Sequence, residues 1–98
     1  MYKAQNLPPA KQDIKNSAIW YNEKQHGLGK KFTAEVRKKV KFIQQNPKAI
    51  AIRYDDTRTA VVDVFPFMIH FPIEKNKNRI DISAVYHTSQ NPNIWGKR

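Results

Sequence analysis

The sequence predicts an α+β fold: a single domain over residues 1–98, ordered β-α-α-β-β-β, with an antiparallel sheet covered on one face by a helical hairpin. Three observations carry this expectation. Apolar residues recur at helical spacing up to Pro47 and alternate after it. Gly27 and Gly29 flank Leu28 in the middle of the helical half, where a hairpin needs its corner. The 98 residues also suffice for one hydrophobic core and fall short of two, since independent cores rarely form much below about 50 residues each.

The elements follow in order. "YKAQNL" predicts a short strand, which Pro8 and Pro9 end while opening a helix, because proline fixes φ and is tolerated in a first helical turn. The first helix runs through "AKQDIKNSAIWYNEKQH", with Ile14, Ala18 and Tyr21 at helical spacing. At least one of Gly27 and Gly29 is expected at positive φ in the corner. In the second helix, "KKFTAEVRKKVKFIQQN", Leu28, Phe32, Val36, Val40 and Ile43 form one stripe, and Pro47 stops it. "AIRY" offers room for an extra short strand. Then "TAVVDVF" alternates with Ala60, Val62 and Val64 on one face, "FMIHFPI" with Phe67, Ile69, Phe71 and Ile73, and "RIDISAVYH" with Ile80, Ile82, Ala84 and Tyr86. "FPF" and "EKNKN" supply the turns of a meander.

A helical hairpin over the apolar face leaves the opposite face open to solvent. The pleat then sends Met68 and His70 outward, together with Asp81, Ser83, Val85 and His87. Both strand histidines are thus expected on one exposed surface, with Arg58 nearby. Such groups suit acid–base chemistry or phosphate contact. A histidine on a half-exposed strand is, however, most often a solvated residue with no such role.

Composition narrows the partners. Eighteen Lys and Arg against eight Asp and Glu give a net charge of +10 and attract polyanions. Lys30, Arg37 and Lys41 lie opposite the apolar stripe of the second helix, with Lys31 and Lys38 to one side, as a basic ridge that contacts polyanions or keeps the protein in solution. Trp20, Tyr21 and Trp95 are not interleaved with basic residues in the manner of a stacking platform. With no cysteine, disulfides and thiolate metal sites are excluded. His26, His70 and His87 have no ligand spacing, so neither a metal nor a cofactor is expected. "HGLGKKF" joins two helices instead of a strand to a helix, which rules out a P-loop, and Ser17, Ser83 and Ser89 sit in no nucleophile elbow. The start "MYKAQNLPPAK" has no signal-like apolar run, and "AVVDVFPFMIHFPI", broken by Asp63, His70 and prolines, falls short of the ~20 apolar residues of a membrane span. A cytoplasmic protein without membrane partners is expected.

The order of short motifs adds a resemblance. Asp13 and Ile14 in the first helix, Tyr21 with the "GLG…F" corner, Pro47, Arg58, "FPF" and "H…NP..W..R" together resemble the RelE/ParE superfamily of toxins from bacterial type II toxin–antitoxin systems, most of all the ParE or plasmid-stabilisation branch. The likeness spans nearly the whole chain. It implies the same β-α-α-β-β-β fold and a toxin that inhibits DNA gyrase, arrests growth and is neutralised by a cognate antitoxin.

The same resemblance implies two alternatives: a RelE-type endonuclease that cuts messenger RNA on the ribosome, or a degenerate, nontoxic nucleic-acid-binding module. In the nuclease case His87, His70 and Arg58 are the implied catalytic residues. Met68 stands at the strand position where RelE-type nucleases carry a key arginine, and Ser89, Gln90 and Asn91 follow His87 where an arginine is expected. In-line cleavage needs a base, an acid and a cation on the phosphorane, and losing the cation can cost several kcal/mol of barrier. His87 matches both branches, so its charge partners decide, and they favour the ParE type. The resemblance further implies an acidic, partly helical antitoxin segment in apolar grooves beside the hairpin, rimmed by Lys30, Arg37, Lys38 and Lys41, and target contacts at Trp95 and Arg98.

Overall fold

A computed structural model describes residues 2–74 and 78–89 of the chain. The order is β1 (Lys3–Asn6), α1 (Pro8–Lys24), α2 (Leu28–Gln45), a 3-10 turn (Pro47–Ala49), β2 (Ile52–Tyr54), β3 (Thr57–Val61), β4 (Phe67–Glu74), β5 (Arg79–Ile82) and β6 (Ala84–His87). The strands lie in the sheet order β1-β5-β4-β3-β2, with β6 also on β4. Neighbours pair antiparallel, except that β1 runs parallel to β5. The sheet is therefore mixed and not wholly antiparallel, because the helical hairpin carries the chain back across the sheet before the meander begins. The short strand at "AIRY" forms as β2.

The helices begin and turn as the sequence leads one to expect. Pro8 and Pro9 occupy the first turn of α1. Gly27 takes the left-handed conformation at φ 88°, and its N–H donates to Asn22 Oδ1 at 2.8 Å, closing the corner. Gly29 answers a different need: a Cβ there would fall 2.3 Å from the Ala18 carbonyl oxygen, so its missing side chain lets α2 lie directly against α1. The stripe of α2 enters the core with Phe32, Val36 and Ile43 buried, and Leu28 and Val40 packed at the margin. Tyr21, Phe32, Phe65 and Phe67 meet there with ring centroids 4.9 to 6.0 Å apart, mostly edge to face. Such pairs add about 0.5–1.5 kcal/mol each beyond simple burial.

The strands depart from simple alternation in two places. β3 ends at Val61, and Val64 lies in the following turn at φ 73°, three-quarters exposed, instead of facing the core with Ala60 and Val62. The second departure matters more. Ile73 pairs with Ile80 and Glu74 with Arg79, yet His70 pairs with Ala84 and Phe67 with His87. Asp81, Ile82 and Ser83 thus stand opposite only Phe71 and Pro72, a β-bulge with one extra residue on the last strand.

The bulge has a local cause. The Ser83 N–H donates to the His70 carbonyl at 2.9 Å, so that carbonyl faces the last strand. Pro72, two residues on, faces the same side and has no N–H to give. Beyond the bulge the inside and outside of the strand exchange. Ile80, Ile82 and Val85 join the main core, while Ala84 and Tyr86 join Met68 and Tyr54 in a second cluster on the far face. The expectation that Ala84 and Tyr86 share the face of Ile80 is therefore corrected. The far face is also not open at its centre, since Met68, His70, Ala84 and Tyr86 are all at most 5% exposed. Where β1 stops opposite Ile82, the Val85 N–H is taken by the Asp13 carboxylate of α1 at 3.0 Å.

Candidate functional site

The exchange of faces at Ser83 governs which chemical groups meet. His70 lies on the sheet face away from the helices and is fully buried. Tyr54, at the end of β2, brings its Oη to 3.0 Å from His70 Nδ1, and the Tyr86 ring packs edge-on at 5.0 Å. The Ser83 hydroxyl donates to the His70 carbonyl at 3.1 Å. Burial raises the Tyr54 phenol above its usual range; Tyr86 and Asp55 add to the rise, and a hydrogen bond with Thr57 opposes it. The phenol stays protonated, and the tautomer of His70 sets which of the two groups donates. The arrangement orients an imidazole between two tyrosines.

His87 lies elsewhere. It pairs with Phe67, whose ring it meets at 5.1 Å and 77°, on the helix-bearing side of the sheet. Its Nδ1 accepts from the Ser89 N–H at 3.0 Å and lies 2.7 Å from the Ser89 hydroxyl. Arg58 is on the helix-bearing side as well, because it pairs with Phe71, a residue of the main core. Its guanidinium donates to the Ile50 carbonyl at the β2 end of the sheet, beside Tyr2, Lys48 and Asp56. The expected common surface of His70, His87 and Arg58 is thus corrected: the bulge turns His87 away from His70, and the pleat of β3 turns Arg58 away from it too.

The basic ridge is positioned more nearly as expected. Two grooves flank α2, one of about 680 Å3 at the crossing of the helices, lined by Ala18, Ile19, Lys30, Thr33 and Arg37, and one of about 480 Å3 towards β1, lined by Ile14, Val36, Arg37, Val40 and Lys41. They share Thr33 and Arg37 and so run on from each other. Lys38 rims neither. Its ammonium lies 3.9 Å from Asp63, which Lys39 also reaches at 3.6 Å, so these lysines hold the β3–β4 turn against α2. Trp95 and Arg98 lie outside the described residues.

Among the described residues no three His, Asp or Glu side chains gather in a way that could hold a metal ion. No helix there is long and apolar enough to cross a membrane.

Sequence reasoning missed three things: the Tyr54 partnership with His70, the outward turn of Tyr86, and Asp13 as a cap on the last strand. Pro72 in a central strand was the available signal for the bulge behind the second, because proline inside a sheet marks an edge or an irregularity.

With this geometry established, likeness to known structures can be weighed. A chain of the chromosomal ParDE toxin–antitoxin system of P. aeruginosa superposes with a TM-score of 0.79 at 18% identity, over 91% of this chain and 98% of that one. A chain of the intact E. coli RelBE toxin–antitoxin complex gives 0.68 at 13% identity, over 93% and 100%, and the isolated E. coli RelE toxin 0.68 at 12%, over 99% and 94%. The chain has the RelE/ParE fold. No protein-family model matches its sequence, and no curated protein does.

Proposed function

We propose that the protein is a toxin of a type II toxin–antitoxin system, a member of the RelE/ParE superfamily that acts in the cytoplasm as ParE-type toxins do, by blocking DNA gyrase. The observation that carries the ParE reading over RNA cleavage is the separation of His70, His87 and Arg58. Ribonuclease chemistry needs a base, an acid and a cation around one phosphate, whereas target blockade needs only a contact surface. The stronger likeness to the ParDE chain than to RelE supports the same choice. Trp95 and Arg98 are the proposed target contacts.

The partner is a cognate antitoxin. Its acidic, amphipathic segment lies in the continuous grooves along α2, apolar side chains against Ile14, Ala18 and Val36, and carboxylates on Lys30, Arg37 and Lys41.

One observation favours ribosome-dependent RNA cleavage as the second reading: a tyrosine hydroxyl and an imidazole, groups suited to acid–base chemistry, are hydrogen-bonded at Tyr54 and His70, with the Tyr86 ring against them. Two assays on the purified chain separate the readings, namely accumulation of gyrase–DNA cleavage complexes and cutting of ribosome-bound messenger RNA. In growth assays without antitoxin, His87→Gln and Arg58→Ala leave a gyrase-directed toxin active, while Trp95→Ala and Arg98→Ala weaken it. In an RNA-cutting toxin, removal of a general acid or base, tested at His87 and at His70, costs about 10²–10⁴ in rate. Soluble protein levels exclude misfolding, above all for the buried His70. A chain that arrests no growth and fails both assays supports the nontoxic nucleic-acid-binding module instead.

A further inference from the structure

A cavity of about 480 Å3, its lining largely apolar, opens between α1 and the β3–β4 turn among Ser17, Trp20, Tyr21, Pro66, Phe67 and His87. We propose that it receives Val64 of a second copy of this chain, in a reciprocal dimer that seats the Val64 of each copy in the cavity of the other.

Val64 is the least expected residue of its turn. It is β-branched and holds φ 73°, a left-handed conformation that such side chains rarely adopt. It is also 74% exposed, so the strained backbone brings no burial within the monomer. The turn around it is firmly held. The Val62 N–H donates to the Phe67 carbonyl at 2.8 Å, the Phe67 N–H donates to the Phe65 carbonyl at 2.8 Å, and the Val62 and Phe65 side chains are buried on either side. Asp63 is gripped from α2 by Lys38 and Lys39. Val64 is thereby a fixed apolar knob. Strain that persists at a rigid, solvent-facing position points to a contact made outside the monomer.

The wall of the cavity is equally fixed. The Trp20 ring meets Tyr21 edge to face at 5.1 Å; Tyr21 continues to Phe67 at 6.0 Å, and Phe67 to His87 at 5.1 Å. Trp20 is 54% exposed, which leaves this aromatic wall open to an incoming side chain. An aliphatic group suits it. The Lys24 ammonium lies over the Trp20 ring at 5.0 Å, beside the lining and not within it, while Asp63, next to Val64, is more than half exposed. Apolar surface therefore meets apolar surface, with a carboxylate beside the knob and an ammonium beside the cavity.

A second copy supplies both halves of this match. Val64 stands two residues before Pro66, which lines the cavity, so knob and cavity share one side of the molecule. A two-fold axis beside Pro66 sets each knob opposite the other copy's cavity, and the contact closes at two copies. Two chains of +10 repel each other, so the dimer forms more readily once salt screens them. Nothing in this contact depends on the toxin reading.

Sedimentation equilibrium of the whole chain, over a range of concentrations at physiological and at higher salt, tests the proposal. The expected result is a monomer–dimer equilibrium. Val64→Asp, which charges the knob, and Ser17→Trp, which fills the cavity, should each weaken the dimer about tenfold or more. Mixing these two variants restores one knob and one open cavity per pair, so the mixture should associate better than either alone. Val64→Gly relieves the left-handed backbone and removes the knob: its dilute monomer should melt no lower than the parent, yet dimerise as poorly as Val64→Asp. The exposed Val64 variants keep the test decisive should Ser17→Trp disturb α1, which thermal melts report. The proposal is overturned if the chain stays monomeric throughout, which leaves the cavity to another occupant, or if association runs on past two copies, as a one-way insertion would. It is overturned equally if Val64→Asp and Val64→Gly dimerise like the parent, or if the mixture of well-folded variants associates no better than its components.

Discussion

Gly27 and Gly29 stand two residues apart and answer to different constraints, and substitution separates them. At Gly27 a Cβ meets no atom within 4 Å, so Gly27→Ala costs only the left-handed backbone, about 1 kcal/mol. At Gly29 the backbone is helical but the Cβ collides with Ala18, so Gly29→Ala should cost more, about 1–3 kcal/mol, as overpacking does. Urea unfolding of the two variants checks the order. Tyr54 offers a second test at this scale. Its raised pKa means that the unfolded chain loses the phenolic proton first, near the ordinary tyrosine value of 10.0. The associated stability is complete below that pH and is lost as pH rises through the folded value. Tyr54→Phe should therefore show a shallower fall in stability above pH 10.0 than the parent, while the part due to Tyr21, also raised by burial, remains.

Among the elements, β6 depends on α1 as well as on β4. The Asp13 carboxylate takes the Val85 N–H where β1 has ended, and truncating it leaves a buried donor without its protein acceptor. Asp13→Ala should destabilise the protein by about 1–3 kcal/mol and speed amide exchange at Val85 more than at residues of β3. Equal exchange along both strands would show that water serves the N–H as well as aspartate does. The bulge beside it was legible only in part. Pro72 signals an irregularity, but period-2 reading cannot say where the extra residue sits, and a slip of one residue turns every later side chain over. For that reason simple alternation puts Ala84, Val85, Tyr86 and His87 on the wrong face, whereas Ile80 and Ile82, before the bulge, and Phe67, Ile69 and Phe71, on the partner strand without the extra residue, face the core as expected.

For the whole molecule, the excess of positive charge is unevenly used. Lys38 and Lys39 are engaged with Asp63, whereas Lys30, Arg37 and Lys41 border the grooves along α2. An acidic amphipathic peptide should therefore bind less tightly as salt rises, since the field is screened within about 8 Å at physiological ionic strength. Arg37→Glu, at the junction of the grooves, should weaken binding strongly, and Lys38→Glu only slightly. Calorimetry at low and high salt measures both. Affinity indifferent to salt, with Arg37→Glu and Lys38→Glu equivalent, would mean that apolar burial alone drives the contact.

Periodicity, prolines and the glycine corner determined the element order, the helical stripe and the identity of most core residues, because each is a local property: which φ a residue adopts and which face its neighbours share. The fate of the candidate site was decided by tertiary structure. Whether His70 and His87 meet depends on one extra residue at Ser83, and whether Trp20 and His87 line one cavity depends on how α1 packs on the sheet. Pro72 marks that an irregularity exists, but neither outcome is fixed by composition or spacing, because contacts between residues distant in the chain are set by packing and not by local preference.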